Sequence, residues 1–307
     1  SELRVLGDLG VAELSLLVLL CAAIYGTDVL RYRALGSAVG SKIGYRAALD
    51  ASVANFFFSW VTPGSTFGAP ATIFMLGRRG VPWDAAVVIA FGKAFTGVAL
   101  ILLAALVLVG LGLGPDYDSS LLALVLFGGS VFTLLMGAIL LAALRPAGAK
   151  KRIRGIFARL PKGKGRWMHA LENVICRSID RLAQLRSAGS VVPLMFTHAL
   201  YFAAFTGVGV VLIVAFGGEA STPAFAATVV YIAFTYIAPT PGGAGFAEAM
   251  ALPFFGPILP TERAVMMVLC FRAITLCLQV GFGLPYLLLV GGIGGVVASS
   301  ESRDGSP

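Results

Sequence analysis

Two apolar runs in this chain are each interrupted by a Thr-Pro-Gly turn, and those interruptions limit the fold more than any other feature. The first run is Asn55-Phe56-Phe57-Phe58-Ser59-Trp60-Val61-Thr62-Pro63-Gly64-Ser65-Thr66-Phe67-Gly68-Ala69-Pro70, which resumes as apolar sequence from Ala71 to Leu76. The second is Tyr236-Ile237-Ala238-Pro239-Thr240-Pro241-Gly242-Gly243-Ala244-Gly245. A helix needs about 20 apolar residues to cross a bilayer, and neither half around either turn is that long. Pro and Gly open the helix ladder, and hydrocarbon tolerates the freed backbone groups only where protein or water satisfies them. Two such breaks point to paired broken or re-entrant helices, the device that marks substrate sites in repeat-built transporters. Two loops at the membrane surface, joining ordinary short apolar helices, would give the same pattern.

Composition places the rest of the chain in a membrane. Mean hydropathy is +0.91, and only 12% of residues are charged, against about 25% in soluble domains. The expectation is an all-α, polytopic, multi-pass protein of the inner (cytoplasmic) cell membrane. The formal net charge of +8 does not imply nucleic acid, because 12 of the 23 basic residues fall between Arg145 and Arg186. A basic block beside a spanning helix marks the inner surface and attracts anionic phospholipids. Cys21, Cys176, Cys270 and Cys277 have no metal-site spacing and read as reduced packing residues. The chain opens Ser1-Glu2-Leu3-Arg4, without Met or a basic leader, so it is expected to begin inside a longer sequence.

Taken in order, Val11 to Leu30 reads as a spanner ended by Arg31-Tyr32-Arg33. The first broken pair follows, Ala47 to Val61 and Ala69 to Leu76, flanked by basic residues on both sides. Asp84 to Val109 spans outward to a loop, Gly114 to Asp118, that carries no Lys or Arg. A linking spanner (119–144) returns inward. The connector (145–189) is basic, and within it Arg166 to Arg186 has apolar residues at helical spacing. It reads as an amphipathic helix on the inner surface or as an arm folded against the loops. Val191 to Phe216 spans outward. The second broken pair, Pro223 to Ala238 and Phe246 to Phe255, has almost no basic flank and should enter from outside. Ala264 to Val290 is the last spanner, before a flexible tail (291–307). One crossing separates a first repeat (11–110, within a 1–144 unit) from a second (190–290), so the second must be inserted upside down. Hydropathy and charge thus predict inverted-topology repeats.

Lys93 lies 30 residues after Pro63 and Arg272 lies 31 after Pro241. Each is about 15 Å into its long helix and so near the midplane. A cation there usually lines a cavity and meets an anion; structural pairing, for example of Arg272 with Glu248, is the alternative. Glu248 could equally serve the helix dipole or exchange a proton. The glycine turns offer backbone amides at Gly64, Ser65, Gly242 and Gly243 that could hold a phosphate. Asp50 and Asn55 either line the same cavity or cap their half-helix. His198 reads as a hydrogen-bonded packing residue. With His169 the only other histidine, no His-based metal site is expected, and no nucleophile elbow, phosphate loop or Asp cluster is present. The expectation is therefore no enzyme and no cofactor. Homo-oligomerisation is left open.

The run Thr240-Pro241-Gly242-Gly243-Ala244-Gly245-Phe246-Ala247-Glu248-Ala249 resembles the Pro-Gly-Gly-x-Gly-x-x-Glu signature of the lysylphosphatidylglycerol synthase transmembrane family of flippase-like proteins. Thr62-Pro63-Gly64 through Gly68-Ala69-Pro70, followed by Arg79-Gly80-Val81-Pro82, is similar to that family's first-half motif, and Arg272 matches the arginine of its last helix. The resemblance covers nearly the whole chain and implies one further N-terminal spanner. It also implies translocation of a lipid, such as an aminoacyl-phospholipid or a polyprenyl-phosphate sugar. The candidate substrate site, from residues and resemblance together, joins Lys93, Arg272 and Glu248 to the two turns (Thr62, Pro63, Gly64, Ser65, Gly68; Thr240, Pro241, Gly242, Gly243, Gly245), with Asn55 and Asp50 beside them; Gly92-Lys93 departs from the family pattern. A small-solute permease, or a non-transporting scaffold or transferase subunit, could use the same scaffold.

Overall fold

In a computed structural model, the structure describes residues 10–117, 127, 128, 131, 134, 146–159, 166–182, 188–236, 238 and 240–290. The linking spanner falls almost entirely outside these residues, and the tail lies wholly outside them. The described residues form helices and turns, with no strand among them. Among the described residues, four helices are long and apolar enough to cross a membrane: Val11–Ala38, Trp83–Gly110, Val192–Ala215 and Thr261–Leu288. The protein is an all-α, multi-pass membrane protein.

Helix α1 (Val11–Ala38) runs eight residues past the Leu30 end expected from its charges. Arg is a good helix former, so Arg31-Tyr32-Arg33 has no means of stopping a helix. The stop comes at Val39-Gly40, where Gly40 adopts φ 71°. Helix α2 (Tyr45–Val61) ends where Thr62 takes the extended backbone that a following proline favours. A single 3₁₀ turn (Pro63–Ser65) then leads into α3 (Gly68–Arg78). Helix α4 (Trp83–Gly110) follows. The connector contains α5 (Pro146–Arg159) and α6 (Arg166–Leu182).

The second half repeats this order. Helix α7 (Ala188–Ala215) precedes α8 (Thr222–Thr235), whose cap Ser221 accepts a hydrogen bond from the Ala224 amide at 3.4 Å. A second 3₁₀ turn (Pro241–Gly243) leads into α9 (Phe246–Ala249) and α10 (Ala251–Phe255). Pro253 lacks the N–H that would continue the ladder onto Ala249, so this returning segment is split in two. Helix α11 (Thr261–Leu276) passes through a π-turn (Cys277–Gly281) into α12 (Gly283–Leu288). Pro285 cannot donate to the Gly281 carbonyl, and the register slips by one residue, with Phe282 N bonded to Cys277 O at 2.9 Å.

Helices α1 and α7 pack along one another most extensively, α2 lies against α3, and α4 touches both α3 and α8. The two proline-glycine turns pack against each other and against α2. Arg181 of α6 reaches both the Val39 carbonyl at the end of α1 and the Asp84 carboxylate at the start of α4. Elsewhere, Arg263 at the start of α11 donates to the Phe216 carbonyl at the end of α7, and Tyr117 after α4 meets Phe254 edge-on at 6.0 Å. Among the described residues, the apolar core forms two clusters. The larger is rich in aromatic residues of α7, α8 and α10, and the smaller surrounds Tyr32, Leu35, Leu76 and Ile89.

Candidate functional site

Asp28 is completely buried in α1, and three polar groups converge on it through four hydrogen bonds. Lys93 Nζ donates to Asp28 Oδ1 at 3.0 Å and Oδ2 at 2.9 Å, Arg31 Nη1 donates to Oδ1 at 2.9 Å, and Ser52 Oγ donates to Oδ2 at 2.6 Å. The spacing of Asp28 and Arg31 puts them on one face of α1. Lys93 makes a third contact, to Asn55 Oδ1 at 3.1 Å, so one ammonium ties α4 to α1 and α2. Two cations therefore share one carboxylate.

Aromatic faces offset part of that excess. Lys93 Nζ lies 4.3 Å from the Tyr32 ring centre and 5.3 Å from that of Phe56, and the Arg31 guanidinium lies 4.2 Å over Tyr201. Arg31 Nε is buried and has no hydrogen-bond partner among the described residues. His198 closes the α7 side. Its Nδ1 donates to the Leu194 carbonyl at 2.8 Å, and Nε2 lies 3.0 Å from Thr96 Oγ1, one turn beyond Lys93. His198 is thus a hydrogen-bonded packing residue.

Arg272 belongs to a second cluster. Its Nε donates to Glu248 Oε1 at 3.1 Å, its Nη1 donates to the Gly242 carbonyl, and its guanidinium stacks 4.4 Å over the Trp60 ring. Glu248 Oε2 in turn accepts from the Gly245 amide at 2.7 Å, fixing the first turn of α9. Lys93 and Arg272 share no partner among the described residues. Helix α2 connects them: Asn55 touches the first cluster and Trp60 the second, about 7.5 Å apart at helical rise.

The turns have nearly the same backbone. Gly64 has φ 56° and ψ 25°, and Gly242 has φ 54° and ψ 14°. Their surroundings differ. A Cβ on Gly64 would meet nothing within 4 Å, whereas one on Gly242 would sit 2.9 Å from the Trp60 ring. Gly68 is where α3 approaches α2, since a Cβ there would lie 2.0 Å from Ser59 Oγ and 3.0 Å from Asn55 Nδ2. Two of the four amides expected to hold a phosphate are taken up inside the turns: Ser65 N donates to Thr62 O at 3.2 Å, and Gly243 N to Thr240 O at 3.0 Å. Thr62 Oγ1 donates to the Phe58 carbonyl at 2.5 Å and accepts from the Phe67 amide at 3.3 Å, bracing the break. Thr240 Oγ1 is buried without a partner among the described residues.

Asp50 stands apart from both clusters. It is fully buried and holds Arg79, beyond α3, through Nε at 2.6 Å, and it accepts from Tyr286 Oη at 2.7 Å. It joins the residue after α3 to α12, and among the described residues it shares no hydrogen-bond partner with Asn55. Sequence reasoning passed over Asp28, Arg31, Ser52, Tyr201 and Trp60. A signal for the first two was present, an acid deep in an apolar helix three residues before an arginine. Among the described residues, no group of three or more His, Cys, Asp and Glu could hold a metal.

The family model described as the lysylphosphatidylglycerol synthase transmembrane region matches residues 6–283 of this chain. No curated protein and no solved structure matches it.

Proposed function

Because the chain belongs to the lysylphosphatidylglycerol synthase transmembrane family, we propose that it is a flippase that carries a lipid with an anionic head group across the bilayer. The observation that carries this reading is the buried Asp28–Lys93–Arg31 cluster, in which two cations meet one carboxylate beside the contact of the two broken elements. Excess charge at that depth is expensive, and a phosphate monoester or diester supplies the missing negative charge. Arg272, braced by Glu248 and Trp60, forms a second station about one and a half turns further along α2. Gly64 and Gly242 sit in the two turns that pack against each other, Gly242 beside Arg272. An open apolar groove between α1 and α2, lined by Tyr25, Gly26, Leu30, Tyr45 and Leu49, supports passage of acyl chains along the outside. The cargo is an aminoacyl-phospholipid or a polyprenyl-phosphate sugar, and the chain performs no covalent chemistry on it.

The two halves work as inverted repeats in this reading. Three contacts support it: the connector sits at the end of α1 and the start of α4, the loop after α4 meets the end of the second broken pair, and the two tips touch between. Movement of one repeat against the other would expose the tips to each leaflet in turn.

The test is translocation of a fluorescent anionic lipid in reconstituted vesicles, read beside thermal stability. Lys93→Ala and Arg272→Ala should each slow transport more than they lower stability. Arg272→Lys should fall between, since it keeps the charge and loses the planar fork. Wild-type rates from Arg272→Ala combined with Glu248→Ala would remove Arg272 from the pathway and leave it a purely structural partner of Glu248.

A further inference from the structure

Lys93 Nζ has three acceptors around it, Asp28 Oδ1, Asp28 Oδ2 and Asn55 Oδ1. An ammonium has three N–H donors and fits that arrangement, whereas a neutral amine would turn its lone pair against one of the oxygens. Loss of one proton would therefore break the tie between α4, α1 and α2. The effect would reach the first turn, because Asn55 packs where α3 approaches α2 at Gly68. The same loss would remove the cluster's excess charge. Lys93 and Asp28 are 5% and 0% exposed, so a proton can leave through a much smaller opening than a phosphate needs.

We propose that Lys93 is the proton-exchanging group of the transport cycle, and that one proton crosses with each anionic head group. The inference rests on the flippase reading. With phosphate present, the charged cluster is neutralised and can cross the midplane. Without it, return is cheapest after Nζ has released its proton. In the release step, the N–H bond breaks towards water admitted when the cluster opens. The electron pair stays on nitrogen, and reprotonation on the other side reverses the step.

The groups facing Lys93 agree with its being the one that exchanges. From α1 they are Asp28, Arg31 and Tyr32, with Arg31 a fixed cation and Asp28 held by two cations and Ser52. From α2 they are the uncharged Asn55 and Phe56. From α7 they are His198, with Nε2 3.4 Å from the Lys93 carbonyl, and Tyr201 beneath Arg31; Tyr236, at the end of α8, has its Oη 3.5 Å from Tyr201 Oη. Helix α8, which also packs on α4, carries no Asp, Glu, Lys, Arg or His.

The experiment uses the full chain in phosphatidylcholine vesicles holding a trace of fluorescent phosphatidylglycerol and, separately, of fluorescent polyprenyl phosphate. The potential is clamped with potassium and valinomycin, a pH dye fills the lumen, and protein-free vesicles give the baseline. For one-to-one electroneutral coupling of a singly charged lipid, a gradient of one pH unit should shift the leaflet ratio of that probe about tenfold, with protons entering as lipid enters. Lys93→Arg keeps a cation that cannot release its proton, and its ratio should stay at the baseline. Fast translocation by the wild type with an unshifted ratio would overturn the coupling and leave the flippase reading standing. A Lys93→Arg ratio equal to the wild type would overturn the assignment to Lys93. If neither probe moves, both this inference and the reading beneath it fail. Should Lys93→Arg not fold, the wild-type ratio and the lumenal dye still decide the coupling.

Discussion

Asp28 is the one carboxylate shared by two cations, so its removal and theirs are not equivalent. Asp28→Asn would leave Lys93 and Arg31 buried together without a carboxylate, and breaking a buried pair in this way costs about 3 to 5 kcal/mol. Lys93→Met would leave Asp28 paired with Arg31 at 2.9 Å and still bonded to Ser52, so the remaining charges balance. The expected order of thermal stability in detergent is wild type, then Lys93→Met, then Asp28→Asn with a clear gap. Equal losses from the two substitutions would contradict the charge count drawn for this cluster. Asp28 and Arg31 could have been paired from sequence by their spacing alone. That Lys93 joins them depends on how α1, α2 and α4 turn their faces inward, which packing decides. The contact of Trp60 with Arg272 is further out of reach, since the residues are far apart in sequence and meet only because the two turns meet.

The broken elements were legible because proline and glycine act on their own neighbours. Pro63 and Pro241 each force the preceding threonine to be extended, and Gly64 and Gly242 accept the left-handed backbone that follows. The end of α1 was misread for the opposite reason. Its arginines were taken as marking where hydrocarbon gives way to water, but Arg31 is buried at 4% exposure and the helix simply continues. The paired turns allow a comparison within one molecule. Gly64→Ala meets only the backbone penalty of a left-handed alanine, about 1 to 2 kcal/mol. Gly242→Ala meets the same penalty and also pushes a Cβ into the Trp60 ring that covers Arg272. It should be the more damaging of the two, to stability and to transport alike. Trp60→Leu in the Gly242→Ala background should cost less than it does alone, because the two share one contact. Additive losses in thermal denaturation would show that the ring yields freely.

At the scale of the whole molecule, the contacts between distant segments imply which ends share a side of the membrane. Arg181 gathers the end of α1 and the start of α4 beneath the connector, whose α5 exposes Lys151, Arg152 and Arg154. The positive-inside rule predicts the cytoplasmic side for such a basic surface. Each of α4 and α7 is long enough to cross once, so the ends of both, near Asp116 and Glu219, should lie outside. The second broken element begins just after Glu219 and the first just after the end of α1, so they would then enter from opposite faces and meet where the two turns touch. Single cysteines test this in a background where Cys21, Cys176, Cys270 and Cys277 are serine. Asp116→Cys and Glu219→Cys, both at exposed positions, should react with an impermeant maleimide on intact cells. Lys151→Cys, also exposed, should react only after permeabilisation. If Lys151→Cys and Glu219→Cys label from the same side, α7 does not cross, the second half is not inverted, and the two tips cannot serve opposite leaflets. If Asp116→Cys alone is protected, α4 fails to cross and Lys93 loses the midplane position on which its proposed role depends.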